Sequence, residues 1–426
     1  MDQGHYNWDP KGPPPKIKQH SIAKHKILRS YLVKYIETLL SSGQRQDTFK
    51  LTLVDGFSGG GIYAHETTGE LHQGSPLIML QAVKEAEATI NCKRTYPVKF
   101  LVHYFFIEED TAAHECLLAQ LKLNGYGKQL GETIFVFKSA FVEQSAQIQE
   151  FILRKSQRAA RAIFLLDQYG FSKVPTGLAS NLLRTLPGAE IIFTFAVDAL
   201  ITYLSDDPTS HTKISNIGLN DPFNGRSIKD IKRTERRTWR AYIQSRLYQS
   251  LITECNARYF TPFFIRSTQG HGDYWLIHLS QHSRARDVMT RIHWQENNYF
   301  VHYGGAGLNM LNMIGYVPEE DDTFTKQSSL FCFDDEARDK SITSLHDDLA
   351  DVIYSAESAV KFNDLFARTC NGTPADAGIY KETLFNLASE MDIAIIGENG
   401  HWRKSKKTIR EDDYVMPHPN RRFIFT

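Results

Sequence analysis

Between Leu51 and Phe195 short apolar runs of strand length alternate with segments of helical period, and no other feature of the chain restricts its fold so far. The runs are residues 51–54, 98–107, 134–137, 162–166 and 190–195. Between them Leu77, Met79, Leu80 and Val83, and then residues 112–123, 148–154 and 178–186, place apolar side chains at helical spacing. Strand–helix–strand repetition needs crossover connections. It therefore predicts a parallel sheet covered by helices, with right-handed crossovers. A helix from about Ser21, with Ile27, Leu28, Tyr31, Leu32, Tyr35 and Ile36 at helical spacing, precedes the first strand. Residues 259–266 and 273–279, joined through 267–272, read as a hairpin added after the alternation ends. The expected fold class is α/β, a Rossmann-like, mostly parallel sheet with a closing hairpin.

The first strand runs into Asp55-Gly-Phe57-Ser58-Gly59-Gly-Gly61. Glycines let the backbone turn through positive φ and approach a ligand closely. The spacing D-x-F-x-G-x-G is not the dinucleotide fingerprint, because the acid and the aromatic precede the glycines and no third glycine falls at the required offset. It resembles the first motif of S-adenosyl-L-methionine (SAM)-dependent methyltransferases. That resemblance gives Asp55, Phe57, Ser58, Gly59 and Gly61 as cofactor-binding residues. It also gives Glu108, at the end of the second strand, as the acid that accepts from both ribose hydroxyls through its two oxygens. Ser139, after the third strand, takes the place where an adenine contact is expected. Asp167-Gln168-Tyr169-Gly170 ends the fourth strand, at the sheet edge where ligands of open α/β sheets bind. In amino-methyltransferases the matching run is [D/N/S]-P-P-[Y/F]. Asp167 and Tyr169 are therefore the candidate catalytic pair, with amino-group methylation the favoured chemistry, although Gln168 and Gly170 depart from that pattern. A cytosine-C5 mechanism needs a Pro-Cys nucleophile after the fourth strand, and no cysteine lies between Cys116 and Cys255.

Composition excludes several classes. Five scattered cysteines without a C-x-x-C pair argue against a zinc site or a disulfide scaffold, so no metal is expected. No run approaches a membrane span and the N-terminus lacks a signal-peptide core, so the expected location is cytoplasmic. Lys plus Arg equals Asp plus Glu at 49 each, so nucleic-acid binding has to be argued from local patches. One patch holds Arg233, Arg236, Arg237 and Arg240 beside Trp239 and Tyr242; a second holds Arg403, Lys404, Lys406 and Lys407 beside Trp402. Both combine phosphate-neutralising cations with stacking aromatics. The second lies in a C-terminal segment whose helices, strands at 393–396 and 423–425 and basic arm predict a winged-helix-like domain. The expected boundaries are a flexible arm over 1–20, a methyltransferase-like domain over 21–317 with a loop and basic helical insertion at 206–255, an acidic linker over 318–350 and the winged-helix-like domain over 351–426.

Lys24-His-Lys-Ile-Leu with Tyr31-Leu, Val54–Tyr63, Gly74-Ser-Pro-Leu77, Phe106-Ile-Glu108, Leu166–Gly170, and Tyr274–Leu279 with Ala285–Met289 and Trp294 together resemble the three-Cys-motif partner (TcmP) family, across about residues 20–300. The resemblance implies a class I methyltransferase-like fold, SAM as cofactor and a partner protein bearing a three-cysteine, radical-SAM-like motif, in a mobile-element or phage-related setting. It supplies no substrate. Members usually read D-P-Y-G where this chain has Asp167-Gln168-Tyr169-Gly170. Two functions from different classes follow: a SAM-dependent methyltransferase acting on DNA or RNA, or a non-catalytic, nucleic-acid-binding partner subunit. Another nucleotide-binding α/β enzyme is disfavoured by the closing hairpin and by the absence of a phosphate-binding lysine motif.

Overall fold

The computed structural model describes residues 6–41, 47–157, 159–168, 172–197, 200–201, 204–205, 212, 214–236, 239–265, 274–296, 299–301, 307–309 and 330–420. The chain divides into two compact units, Met1–Trp239 with Arg246–Ile292, and Arg240–Ser245 with His293–Thr426.

The first unit opens with β1 (Lys16–Ile17), α1 (Gln19–Leu40), β2 (Thr48–Asp55), β3 (Ile62–His65), β4 (Leu71–Gln73) and α2 (Ser75–Asn91). It continues through β5 (Lys99–Glu108), α3 (Thr111–Leu123), β6 (Ile134–Lys138), α4 (Phe141–Lys155), β7 (Ala162–Leu166), α5 (Thr176–Thr185) and β8 (Ala189–Phe195). After α6 (Ile228–Glu235) and α7 (Trp239–Glu254), β9 (Tyr259–Ile265) and β10 (Tyr274–Ser280) form the hairpin, and α8 (Ser283–Gln295) follows. The central sheet has seven strands in the order β6-β5-β2-β7-β8-β10-β9. The first five are parallel, and β10 runs antiparallel to both β8 and β9. This is the class I methyltransferase sheet, as the alternation and the closing hairpin predict. Every residue of β7 and β8 is buried, which is why these strands read as unbroken apolar runs in place of alternating ones. One apolar core joins Leu28, Tyr31, Leu32 and Ile36 of α1 and Leu77, Leu80 and Val83 of α2 to Leu51, Leu53 and Phe106 of the sheet.

The hairpin β3–β4 is an addition the sequence does not announce, since its strands have only four and three residues. It sits between the glycine turn and α2. The Gly74 amide donates to the Gly61 carbonyl at 2.8 Å, which returns the start of α2 to the turn. Gly74 occupies the cap of α2, with Pro76 in the first turn.

In the second unit β11 (Tyr299–Val301) pairs with β12 (Leu330–Cys332). Then come α9 (Asp335–Tyr354), β13 (Val360–Lys361), α10 (Phe362–Thr369), α11 (Ala377–Ser389), β14 (Ile393–Ile396) and β15 (Tyr414–Pro417). Three helices with a three-stranded sheet in the order β13-β15-β14 make a winged helix, the wing being the 397–413 connection. Part of the stretch read as an acidic linker belongs to this fold. Asp335–Tyr354 is a helix capped by Asp334, whose side chain accepts from the Ala337 amide at 2.8 Å, and Leu345, Leu349 and Ile353 are buried. Its acidic character is that of a capped first turn and an exposed face. The proposed strand at 423–425 lies outside the described residues. The strand that closes the wing is β15.

Candidate functional site

The site is built where the sheet order reverses. β2 has β5 on one side and β7 on the other, and its last residue is Asp55. Ligands of open α/β sheets bind outside the carboxyl ends of the strands at such a reversal. Asp55 is fully buried. Its Oδ1 accepts from the Phe57 amide at 3.1 Å. The Ser58 amide donates to the Ile107 carbonyl at 3.0 Å and the Ser58 hydroxyl to the Asp55 carbonyl at 3.1 Å. Gly59 and Gly61 follow with φ of +59° and +86°, the left-handed region in which a side chain is strained. Glu108, the last residue of β5, closes the turn. Its Oε2 accepts from the Gly59 amide at 2.7 Å and its Oε1 from the Asp110 amide at 2.8 Å. Burial pushes the Glu108 pKa up, while the Asp110 and Gly59 amides pull it down.

Burial also drives the Asp55 carboxyl up to about 7, opposed by the Ser75 side chain and the Phe57 amide. Although Ser75 acts on it, Asp55 Oδ2 meets no donor in hydrogen-bond geometry among the described residues. The Ser139 amide donates to the Glu108 carbonyl at 3.2 Å, and its buried hydroxyl likewise lacks a partner among the described residues. Buried polar atoms are normally satisfied, so two such atoms after β2 and β6 mark an edge with hydrogen-bonding capacity to spare.

Asp167 follows β7, and its partner comes from α1. Lys24 of α1 places Nζ 2.6 Å from both carboxylate oxygens. Burial, the largest influence, would raise the Asp167 pKa; the Lys24 ammonium, with the Thr194 side chain and His25, holds the carboxyl below its ordinary value. One signal was available. Ser21, His25, Leu28, Tyr31 and Leu32 form the buried stripe of α1, and Lys24 falls within that stripe. The next residue, His25, is buried and stacked on His72, with centroids 5.3 Å apart and planes 10° from parallel. Burial, and after it Lys24, pushes its pKa down to about 3. His20 is lowered to about 4 by the same two effects.

Gln168, the departure from the amino-methyltransferase pattern, is buried, and its Oε1 accepts from the amides of Lys173 at 2.9 Å and Val174 at 3.0 Å. A side-chain amide thus bridges Gln168 to Lys173 and Val174, at the position where the D-P-Y-G pattern has a proline. Tyr169 lies outside the described residues.

The N-terminal residues also reach the turn. β1 pairs in parallel with Ala64 and His65 of β3. Tyr6 Oη lies 3.1 Å from Ser21 Oγ, and the Tyr6 and Trp8 rings have centroids 4.9 and 5.0 Å from that of Tyr63. A Cβ added to Gly60 would stand 2.3 Å from the Trp8 ring, so the indole rests directly on the glycine backbone. Part of the expected arm over 1–20 is therefore a strap across the turn, and its first five residues lie outside the described ones.

The basic patches divide on inspection. Arg233 is exposed and pairs with Asp230 at 2.9 Å, Arg236 is exposed at the end of α6, Arg240 is half-buried, and Arg237 lies outside the described residues. In the second patch Arg403 makes a two-pronged pair with the buried Asp413, at 2.8 and 2.7 Å, and Lys406 pairs with Glu382 at 2.6 Å. These two cations are engaged in ion pairs within the winged helix. Lys404, Lys407, Arg410 and Trp402 are exposed on the wing.

A family model described as GMT-like wHTH domain matches residues 315–400. Comparison with curated proteins returns no match. Among solved structures, the chain is similar to the hMettl16 catalytic domain in complex with MAT2A 3′UTR hairpin 6, at 13% identity and a TM-score of 0.22, over 60% of this chain and 70% of that one. The methyltransferase fold stands on the strand order itself. No helix among the described residues is long and apolar enough to cross a membrane.

Proposed function

We propose that the protein binds SAM across the carboxyl edge of the sheet and transfers its methyl group to a nucleic acid. The observation that carries this reading is the Glu108 carboxylate closed onto the Gly59 amide at 2.7 Å. An ionised carboxylate has about four acceptor positions, so two remain for a pair of ribose hydroxyls after the Gly59 and Asp110 amides are served. The donor set fits the rest of the molecule as well. Asp55 Oδ2 is available to an ammonium and the Ser139 hydroxyl to a ring nitrogen, and the left-handed glycines let the backbone come close. When bound, SAM supplies an electrophilic methyl group. The chain contributes positioning and electrostatics, the two means by which such a transfer is accelerated. Asp167, beside the reversal point, is the group that faces the acceptor.

Nucleic acid as acceptor is supported by the winged helix and by the cations and indole exposed on its wing. The three-Cys-motif partner implied by the family resemblance belongs to the same proposal, and co-purification of the two chains tests it. SAM binding is tested by calorimetry. Glu108→Ala should weaken it by roughly 10–100-fold, the worth of one or two charge-assisted hydrogen bonds, without unfolding the protein. Folded wild-type protein that takes up no SAM at millimolar concentration rules the reading out. SAM binding without transfer to any acceptor favours the non-catalytic partner role.

A further inference from the structure

We propose that the acceptor is a hydroxyl, the ribose 2′-hydroxyl of RNA, and not an exocyclic amine of a base; this rests on the reading of the site as a methyl-transfer centre. The run that starts at Asp167 leads one to expect amine chemistry, in which a bare carboxylate oxygen accepts from the N–H of the acceptor. Here both oxygens are held at 2.6 Å by one ammonium, from a helix that packs into the same core. The pair is partly desolvated yet reachable, with side-chain exposures of 12% for Lys24 and 24% for Asp167.

Charge development decides between the two acceptors. An amine that attacks the methyl group becomes cationic in the transition state. With Lys24 neutralising Asp167, the pair lacks the net negative charge that would favour that cation. An attacking hydroxyl loses its proton and carries partial negative charge, which the same ammonium stabilises. Asp167, whose carboxylate keeps acceptor positions beyond those that face Lys24, stands beside it to receive the proton. Neighbouring groups do not reverse this balance. His20 and His25, on the same helix, are held neutral near pH 7 by burial and by Lys24. Tyr6 and Tyr63 are held in their neutral forms by burial. Glu108 is occupied by the Gly59 and Asp110 amides.

The step balances as follows. The acceptor oxygen forms a bond to the methyl carbon with its own lone pair, and the S–CH3 bond breaks with its pair remaining on sulfur. The hydroxyl proton passes to an Asp167 oxygen and from there to water. Along the interior of a nucleic-acid strand the 2′-hydroxyl is the one hydroxyl present, and DNA lacks it. A hydroxyl acceptor on a nucleic acid therefore means RNA.

The test uses the full chain, SAM with an isotopically labelled methyl group, a mixed-sequence RNA and the DNA of the same sequence. Products are digested to nucleosides for mass spectrometry, and SAM binding is followed by calorimetry in parallel. The expected result is label in 2′-O-methylnucleosides from RNA and none in DNA. Lys24→Ala and Lys24→Gln should each lose about a hundredfold or more in transfer, with the dissociation constant for SAM moving by less than about threefold. Label on a base nitrogen, equal labelling of DNA, unimpaired transfer by both Lys24 variants, or SAM binding by the wild type with no transfer to RNA each overturns the proposal. Failure of the folded wild type to bind SAM removes the underlying reading, and this one with it.

Discussion

Two carboxylates at the carboxyl ends of neighbouring strands are driven in opposite directions by their surroundings. Asp55 is raised from 3.8 to about 7, chiefly by burial, and Asp167 is lowered because Lys24, Thr194 and His25 together offset burial. Between pH 4 and 7, roughly, the folded protein keeps a proton on Asp55 that the unfolded chain has released. The stability this contributes is complete below about pH 4 and is lost as the pH rises through about 7. Asp55→Asn should therefore melt higher than the wild type near pH 8, with the gap closing near pH 5, by differential scanning calorimetry. A variant that melts lower by the same margin at both pH values would show that the buried charge does not set the stability at this position. A cationic ligand favours ionised Asp55, so SAM affinity should rise with pH across about 6 to 8 in the wild type and stay flat in the variant. At this scale the sequence was informative about residue types and less so about partners. D-x-F-x-G-x-G and the acid one βα unit later marked Asp55 and Glu108, because both belong to local strand-to-turn geometry. The pairing of Lys24 with Asp167 was not legible because the two lie 143 positions apart, and no spacing rule links a helix residue to the end of the fourth parallel strand.

Elements whose apolar period is sustained were readable, and short or docked segments were not. The five parallel strands and the closing hairpin follow from their apolar runs, whereas β3 and β4, of four and three residues, are too short for any period to show. The strap is held by tertiary contacts, namely the pairing of β1 with β3 and the indole over Gly60, and a polar, proline-rich sequence carries no trace of either. Gly60→Ala should displace Trp8 without disturbing the sheet, since the added methyl would meet only that ring among its nearest neighbours. The expected outcome is a change in tryptophan emission with a preserved far-ultraviolet circular dichroism spectrum; unchanged emission would mean that the strap does not rest on the turn in solution. The loop after β7 makes a second case. Gln168 reads as a defect beside D-P-Y-G, yet its side chain serves the Lys173 and Val174 amides. Gln168→Ala would leave those amides without that acceptor, and a loss of about 1–3 kcal/mol in chemical denaturation is expected. Gln168→Glu, which keeps the acceptor oxygen, should retain more of that stability.

At the scale of the whole chain the formal net charge is zero, so no overall field draws a polyanion to the protein. Any attraction has to be local, and ion pairing limits where it can be. In the winged helix, α11 presents Lys381 and Glu382, and Glu382 is engaged by Arg338 and Lys406, so this helix has little positive charge to offer a phosphate backbone. The wing has Lys404, Lys407 and Arg410 exposed around Trp402, 48% exposed. Four neighbouring cations that look alike in the sequence thus separate into two kinds. Removing Arg403 leaves the Asp413 carboxylate, 1% exposed, without its two-pronged partner, and Arg403→Ala should melt below the wild type. Removing Lys404 and Lys407 uncovers nothing, so Lys404→Glu with Lys407→Glu should melt like the wild type. If both lysines neutralise phosphates, each releases a counterion on binding. The double variant should then weaken nucleic-acid affinity at every sequence tested and flatten the slope of log affinity against log salt by about two phosphate equivalents, roughly 1.4–1.8. Fluorescence anisotropy with the full chain across a salt series measures both quantities. An unchanged slope would move the contact away from the wing, and the exposed Arg233 and Arg236 would be the next cations to test.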